Sequence, residues 1–151
     1  MKTYSLLSLA AVLFALANAA HAQSDDSSVR TRFGLVAAVS DPGQSKVTLN
    51  GKPIAYPNSP DFAVVGDASS LSLAKQFSIG ESDIVLVIEN SGGTACPMTY
   101  SFVTVNSKGA TITKPVADDH CSDIYKVSQS GNKIVLKVGK KVFNYSNGNV
   151  R

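Results

Sequence analysis

The stretch "DIVLVIEN", Asp83 to Asn90, decides the fold. Between its polar ends, β-branched residues and leucine follow one another without a break. Successive side chains of a strand point to opposite faces, so a strand with one wet face alternates apolar and polar residues. A run that is apolar on both parities predicts a strand buried on both faces, at the centre of a sheet.

The text on either side agrees. "MTYSFVTVN" (Met98 to Asn106) reads as a second strand. Its apolar residues first occupy one parity (Met98, Tyr100, Phe102) and then the other (Val103, Val105), a change that predicts a bulge or a crossing between two sheets. "SSLSLAKQFSIG", before the central run, is ambiguous. Leu71, Leu73 and Phe77 fit alternation apart from Lys75, while Leu71, Ala74 and Phe77 also fit a helical turn; strand is the preferred reading. Farther out, "FGLVAAVS", "KVTL", "FAVVGD", "ATIT", "IYKVSQ", "KIVLKV" and "KVFNYS" are short β-forming runs divided by turn residues. Asn50-Gly51 predicts a type I′ hairpin, because both central residues of that turn need positive φ. Pro53 confines the following arm to an edge or a strand start. Ser130-Gly131-Asn132 predicts another hairpin, in which Ile134, Leu136 and Val138 share one face and Lys133, Val135 and Lys137 the other. Regular short strands with turn signals predict an all-β, mainly antiparallel fold, a small sandwich or partly open barrel, with Leu71–Phe77 as its one option for a short helix.

The chain has 151 residues and a formal charge of +3. Met1-Lys2, the apolar run Leu6 to Ala17 and the small-residue ending "ANAAHAQ" match the plan of a secretory signal peptide. Cleavage is expected after Ala22, with Ala17-Asn18-Ala19 as an earlier small-x-small site. The apolar run is about 12 residues, short of the roughly 20 that a spanning helix needs, and no second run is long enough to span a membrane. The expected organisation is a signal peptide over 1–22, a flexible leader over 23–32, unless its end joins the first strand, and a single β domain over 33–151. Without Lys2 the exported chain has 13 basic against 11 acidic residues, a balance that gives no warrant for nucleic-acid binding.

Cys96 and Cys121 are the two cysteines. In an oxidising compartment such a pair predicts a disulfide. Closing the intervening loop of about 25 residues would contribute about 3 kcal/mol in the chain-entropy model. A metal site would want three or four clustered ligands, and "DDHCSD" sets hard carboxylates beside a soft thiolate. A Cys–His nucleophile is disfavoured because His120 and Cys121 are adjacent and would point apart in a strand.

Other chemistry is sparse. Gly92-Gly93 lacks the helix start of a phosphate cradle. Asp118, Asp119 and Asp123 lack EF-hand spacing, and no G-x-S-x-G elbow occurs. No cofactor is implied. Lys133, Lys137, Lys140 and Lys141 form a basic group on the last hairpins. The expectation is therefore a binding protein rather than an enzyme, with another protein as its partner. Its contact residues are expected beside the staple, at Asn90, Asp118, Asp119 and Asp123, with the hairpin around Lys137 as the next candidate.

The span from Ile79 to Val138 resembles a family of small exported proteobacterial proteins that share a V-L-V strand, a G-G-T-A-C-P turn, an F-V-T-V strand and a later C-S-D. "KKVFNYSNGNVR" is similar to their closing hairpin. The resemblance covers about half of the expected mature chain. It implies the disulfide and the periplasm and brings no known activity. For a small, stapled, exported domain the sharpest expectation is an immunity or inhibitor protein that neutralises a toxin or an envelope-degrading enzyme. The alternatives are an accessory envelope protein and a small hydrolase.

Overall fold

The structure is a computed structural model that describes residues 28–41, 44–55, 64–65, 70–90, 98–118, 122 and 124–151. Among these residues there are thirteen strands and no helix. They form three antiparallel sheets. The first contains β1 (Ser28–Thr31), β2 (Gly34–Asp41), β3 (Gln44–Leu49), β4 (Lys52–Pro53) and β5 (Val64–Val65), in the order β1-β2-β3-β4 with β5 also on β3. The second is β6 (Ser70–Ile79), β7 (Ser82–Asn90), β8 (Met98–Asn106) and β9 (Gly109–Ile112), in chain order. The third is β10 (Tyr125–Ser130), β11 (Lys133–Val138), β12 (Lys141–Ser146) and β13 (Asn149–Val150), also in chain order.

The second sheet is covered on both faces, which is why β7 has no polar alternation. Val85 and Val87 pack with Val36, Val47 and Ile54 of the first sheet's side. Ile84, Leu86 and Ile88 pack with Ile134, Leu136, Val138 and Tyr145 of the third. β8 divides in the same way: Val103 and Val105 enter the first core, Tyr100 and Phe102 the second. Its register against β7 runs from Asp83↔Val105 to Asn90↔Met98 without a shift. The bulge or crossing expected in β8 is therefore absent; its apolar residues change parity because both faces are buried.

The irregularity lies in β6 instead. Its register against β7 shifts between Leu73 and Lys75. One extra residue at Ala74 reverses the faces of everything after it. Leu71 and Leu73 thus lie in the first core and Phe77 in the second. This resolves the ambiguous segment as strand and explains why neither simple alternation nor a helical period fitted it.

Two further details correct or sharpen the expectations. Ser28–Thr31, the end of the expected leader, is strand β1, in register with β2 from Ser28↔Ala37 to Thr31↔Gly34. Val29 packs on the first core, so burial outweighs the polar composition of that stretch. The Asn50-Gly51 turn has φ of 51° and 79°, the positive pair the sequence requires.

Two polar contacts tie the layers. Asp83 is 0% exposed and accepts hydrogen bonds from the Arg32 backbone at 2.7 Å, from Arg32 Nε at 2.9 Å and from Ser78 at 2.7 Å. The same guanidinium donates to the Ser82 carbonyl at 3.0 Å and lies within 3.3 Å of the Gly80 carbonyl. One arginine in the β1–β2 turn is thereby fixed to the β6–β7 turn. On the other side, the hydroxyls of Thr104 and Tyr145 share a hydrogen bond between the second and third sheets.

Candidate binding surface

The third sheet presents its inner face to the core and its outer face to solvent. Ile134, Leu136 and Val138 are buried, as their shared parity requires. The opposite parity builds the outer face. Lys126 lies opposite Lys137, and Lys137 opposite Val142. Ser128, Val135 and Asn144 form the next row. Asn144 and Arg151 exchange backbone hydrogen bonds of 2.8 and 3.1 Å, which carries the face on past β13.

Its electrostatics are one-sided. From Ile124 to Arg151 the chain carries six cations (Lys126, Lys133, Lys137, Lys140, Lys141, Arg151) and no acidic residue. Among the described residues no carboxylate lies in ion-pair reach of Lys126, Lys133, Lys137 or Arg151. Like charges directly opposite on a sheet repel, and Lys126 and Lys137 are such a pair.

The face has two unlike ends. At one end, Ile124 is 71% exposed and Val142 52% exposed. With Tyr125, Lys126, Lys137 and Gly139, Ile124 borders a recess of about 200 Å³. At the other end Lys133 and Arg151, with Asn144, Ser146, Asn147 and Asn149, border a recess of about 320 Å³. The first end combines exposed aliphatic side chains with cations, as protein interfaces do; the second is lined by polar and charged residues.

The residues singled out in the sequence fall in different places. Lys137 is exposed at the centre of this face. Asn90 is half-buried at the end of β7, opposite Met98. Asp118 is only 4% exposed. A Cβ added at Gly139 would stand 2.6 Å from its Oδ2, so the carboxylate packs against the β11–β12 turn and is withdrawn from any partner's reach. Asp119, Asp123, His120 and the expected disulfide Cys96–Cys121 lie outside the described residues. Among the described residues no three His, Cys, Asp or Glu side chains come together to hold a metal, and no helix is long and apolar enough to cross a membrane.

Sequence reasoning found Lys137 but missed its neighbours. Ile124 and Lys126 share a parity, as do Lys140 and Val142, so exposed aliphatic residues beside lysines were legible once the outer face of "IYKVSQ" was fixed. The Arg32–Asp83 tie had no local signal, since 51 residues separate its members. Comparison with family models, curated proteins and solved structures found no match.

Proposed function

We propose that this chain is an exported periplasmic protein, processed after Ala22, that acts by binding another protein and not by catalysis. Its role is that of an immunity or inhibitor protein directed at a toxin or an envelope-degrading enzyme. The single observation that carries the binding surface is the Lys126/Lys137 pair, without an acidic partner among the described residues, flanked by exposed Ile124 and Val142. Apolar contact supplies affinity, and the lysines select and steer an acidic partner. A backbone already ordered in a sheet lowers the ordering cost of binding. Export is supported by the Met1–Ala22 pattern.

A photo-crosslinking residue placed at Val142 tests the surface in cells. It should yield a discrete adduct with an acidic protein, whereas the same residue at Leu35, exposed on the first sheet, should not. Adducts from position 35 and none from position 142 would place recognition on the opposite layer.

A further inference from the structure

β10 is the outermost strand of the third sheet, and no described strand pairs with its far side. It runs for six residues with neither a proline nor a break in its register against β11. The other outer strands are blunted in ways that sheet edges commonly use. β4, β5 and β13 have two residues each, β1 and β9 four each, and β6 carries the bulge at Ala74. The ladder fixes which backbone groups of β10 are spent. Gly139 donates to the Ile124 carbonyl at 3.1 Å. Bonded and unbonded pairs alternate along an antiparallel ladder, so Lys126 and Ser128 bond to β11, while the N–H and C=O groups of Tyr125, Val127 and Gln129 point away from it.

The core beneath this edge is unfinished. On β11, Ile134, Leu136 and Val138 face inward and are 0% exposed. Their partners on β10, which share that face, are Gln129, Val127 and Tyr125. Tyr125 and Val127 pack on the second core but are only half-buried, and Gln129 is exposed. Ile124 and Tyr125 border the recess of about 200 Å³ at the start of the strand. On the opposite face the edge presents Lys126, with Lys137 directly behind it on β11, and neither has an acidic partner among the described residues. Open backbone groups, half-covered apolar side chains and unopposed lysines thus lie along one line.

We propose that β10 accepts an extended segment of a partner protein as an added antiparallel strand, and that this segment alternates apolar and acidic residues. Partner residues opposite Tyr125, Val127 and Gln129 exchange backbone hydrogen bonds with them and turn their own side chains inward. Apolar groups there complete the cover of Tyr125 and Val127. The partner residues in between face outward beside Lys126, where carboxylates supply the missing counter-charge. Main-chain bonds give affinity, and the alternating side chains give specificity. A second copy of this edge would extend one cationic face with another, which like charge opposes. The inference rests on the reading of the lysine face as a protein-binding surface, and it names the form of the segment that surface receives.

The test uses the full mature protein with a short synthetic peptide alternating glutamate and valine. One control peptide has lysine in place of glutamate; the other is the acidic peptide N-methylated at its valines, which removes the donors that would face β10. Hydrogen exchange followed by NMR should slow about tenfold or more at Tyr125, Val127 and Gln129 with the acidic peptide, and with neither control. Val127→Pro removes an N–H that takes no part in the β10–β11 ladder, a place where edge strands tolerate proline. It should abolish the slowing at Tyr125 and Gln129 while the Ser128 amide stays protected. Lys126→Glu, at an exposed position, should lose the acidic peptide and take up the lysine peptide, which keeps the test decisive where proline perturbs the strand. An acidic peptide that binds without slowing these three amides would overturn strand addition and leave the lysine-face reading standing. No binding of the acidic peptide, or equal binding of the lysine peptide, would also overturn the proposal. Slowing that rises with protein concentration alone would overturn it in favour of a second copy. The Val142 crosslink decides the underlying surface reading separately.

Discussion

Asp83 is a fully buried carboxylate whose partners come from two turns far apart in sequence. Burial alone raises its pKa; hydrogen bonds from the Arg32 side chain and backbone and from Ser78, together with the guanidinium charge, bring it below the ordinary value of 3.8. A lowered folded-state value fixes the sign of the pH dependence. The stabilisation is fully present above 3.8 and is lost as pH falls through the lower folded-state value. Asp83→Asn should therefore be less stable than the wild type at pH 7, with the gap closing in denaturant melts toward pH 3. A gap that stays constant would show that shape, not charge, matters there. Removing one partner of a buried pair costs about 3–5 kcal/mol. Arg32 is 49% exposed, so solvent screening lowers the expected cost of Arg32→Ala to about 2 kcal/mol. Gly139 offers a second residue-scale test. It has φ of 54°, and an added Cβ would meet Asp118 Oδ2. Gly131 has φ of 57° but open space around it. Both alanine substitutions carry the left-handed strain, about 1–2 kcal/mol. Gly139→Ala should cost at least about 1 kcal/mol more than Gly131→Ala, because the buried carboxylate must also move; equal midpoint shifts in thermal melts would refute the packing of Asp118.

At the level of elements, β6 shows most clearly where sequence reading reached and where it stopped. "DIVLVIEN" identified the central strand because burial on both faces leaves a signal in one short window. The hairpins at Asn50-Gly51 and Gly131 were legible because positive φ restricts residue choice. The bulge at Ala74 was not, since it shows only when the two cores are known: Leu71 and Leu73 serve one and Phe77 the other. The same two-sided burial in β8 imitated a phase change. The acidic candidate Asp118 misled because a charged residue in a loop reads as solvated, whereas the fold buries it against Gly139. Deleting Ala74 would make Leu73↔Val87 and Lys75↔Leu86 consecutive pairs, with the leucines and Phe77 still facing their own cores. The deletion should therefore cost less than about 2 kcal/mol in urea denaturation, because no core side chain leaves its face; a much larger loss would contradict this placement of the bulge. The disulfide also belongs to this scale. Tyr100 and Val116 exchange backbone hydrogen bonds of 2.9 Å in an antiparallel bridge. Cys96 lies four residues before Tyr100 and Cys121 five after Val116. We expect no free thiol when protein from the periplasm is labelled under denaturing, non-reducing conditions. Two labelled cysteines would revive a reactive-thiol role.

The whole molecule is electrically polarised along its sequence. All 11 acidic residues precede Ile124, and the segment that builds the third sheet carries only cations. Placing that sheet as an outer layer turns a segmental bias into a surface. The second core holds the sheet against the middle layer, so the surface is ready before contact. The direct test is a titration of the purified protein against the partner identified by crosslinking, at low and moderate salt, for the wild type and for Lys126→Glu/Lys137→Glu. Both positions are exposed, so the double variant should keep the wild-type melting profile. The account predicts wild-type affinity that falls with added salt, and a variant at least tenfold weaker at low salt whose affinity no longer falls as salt is added. Equal affinities with equal salt dependence would contradict the claim that this face recognises the partner.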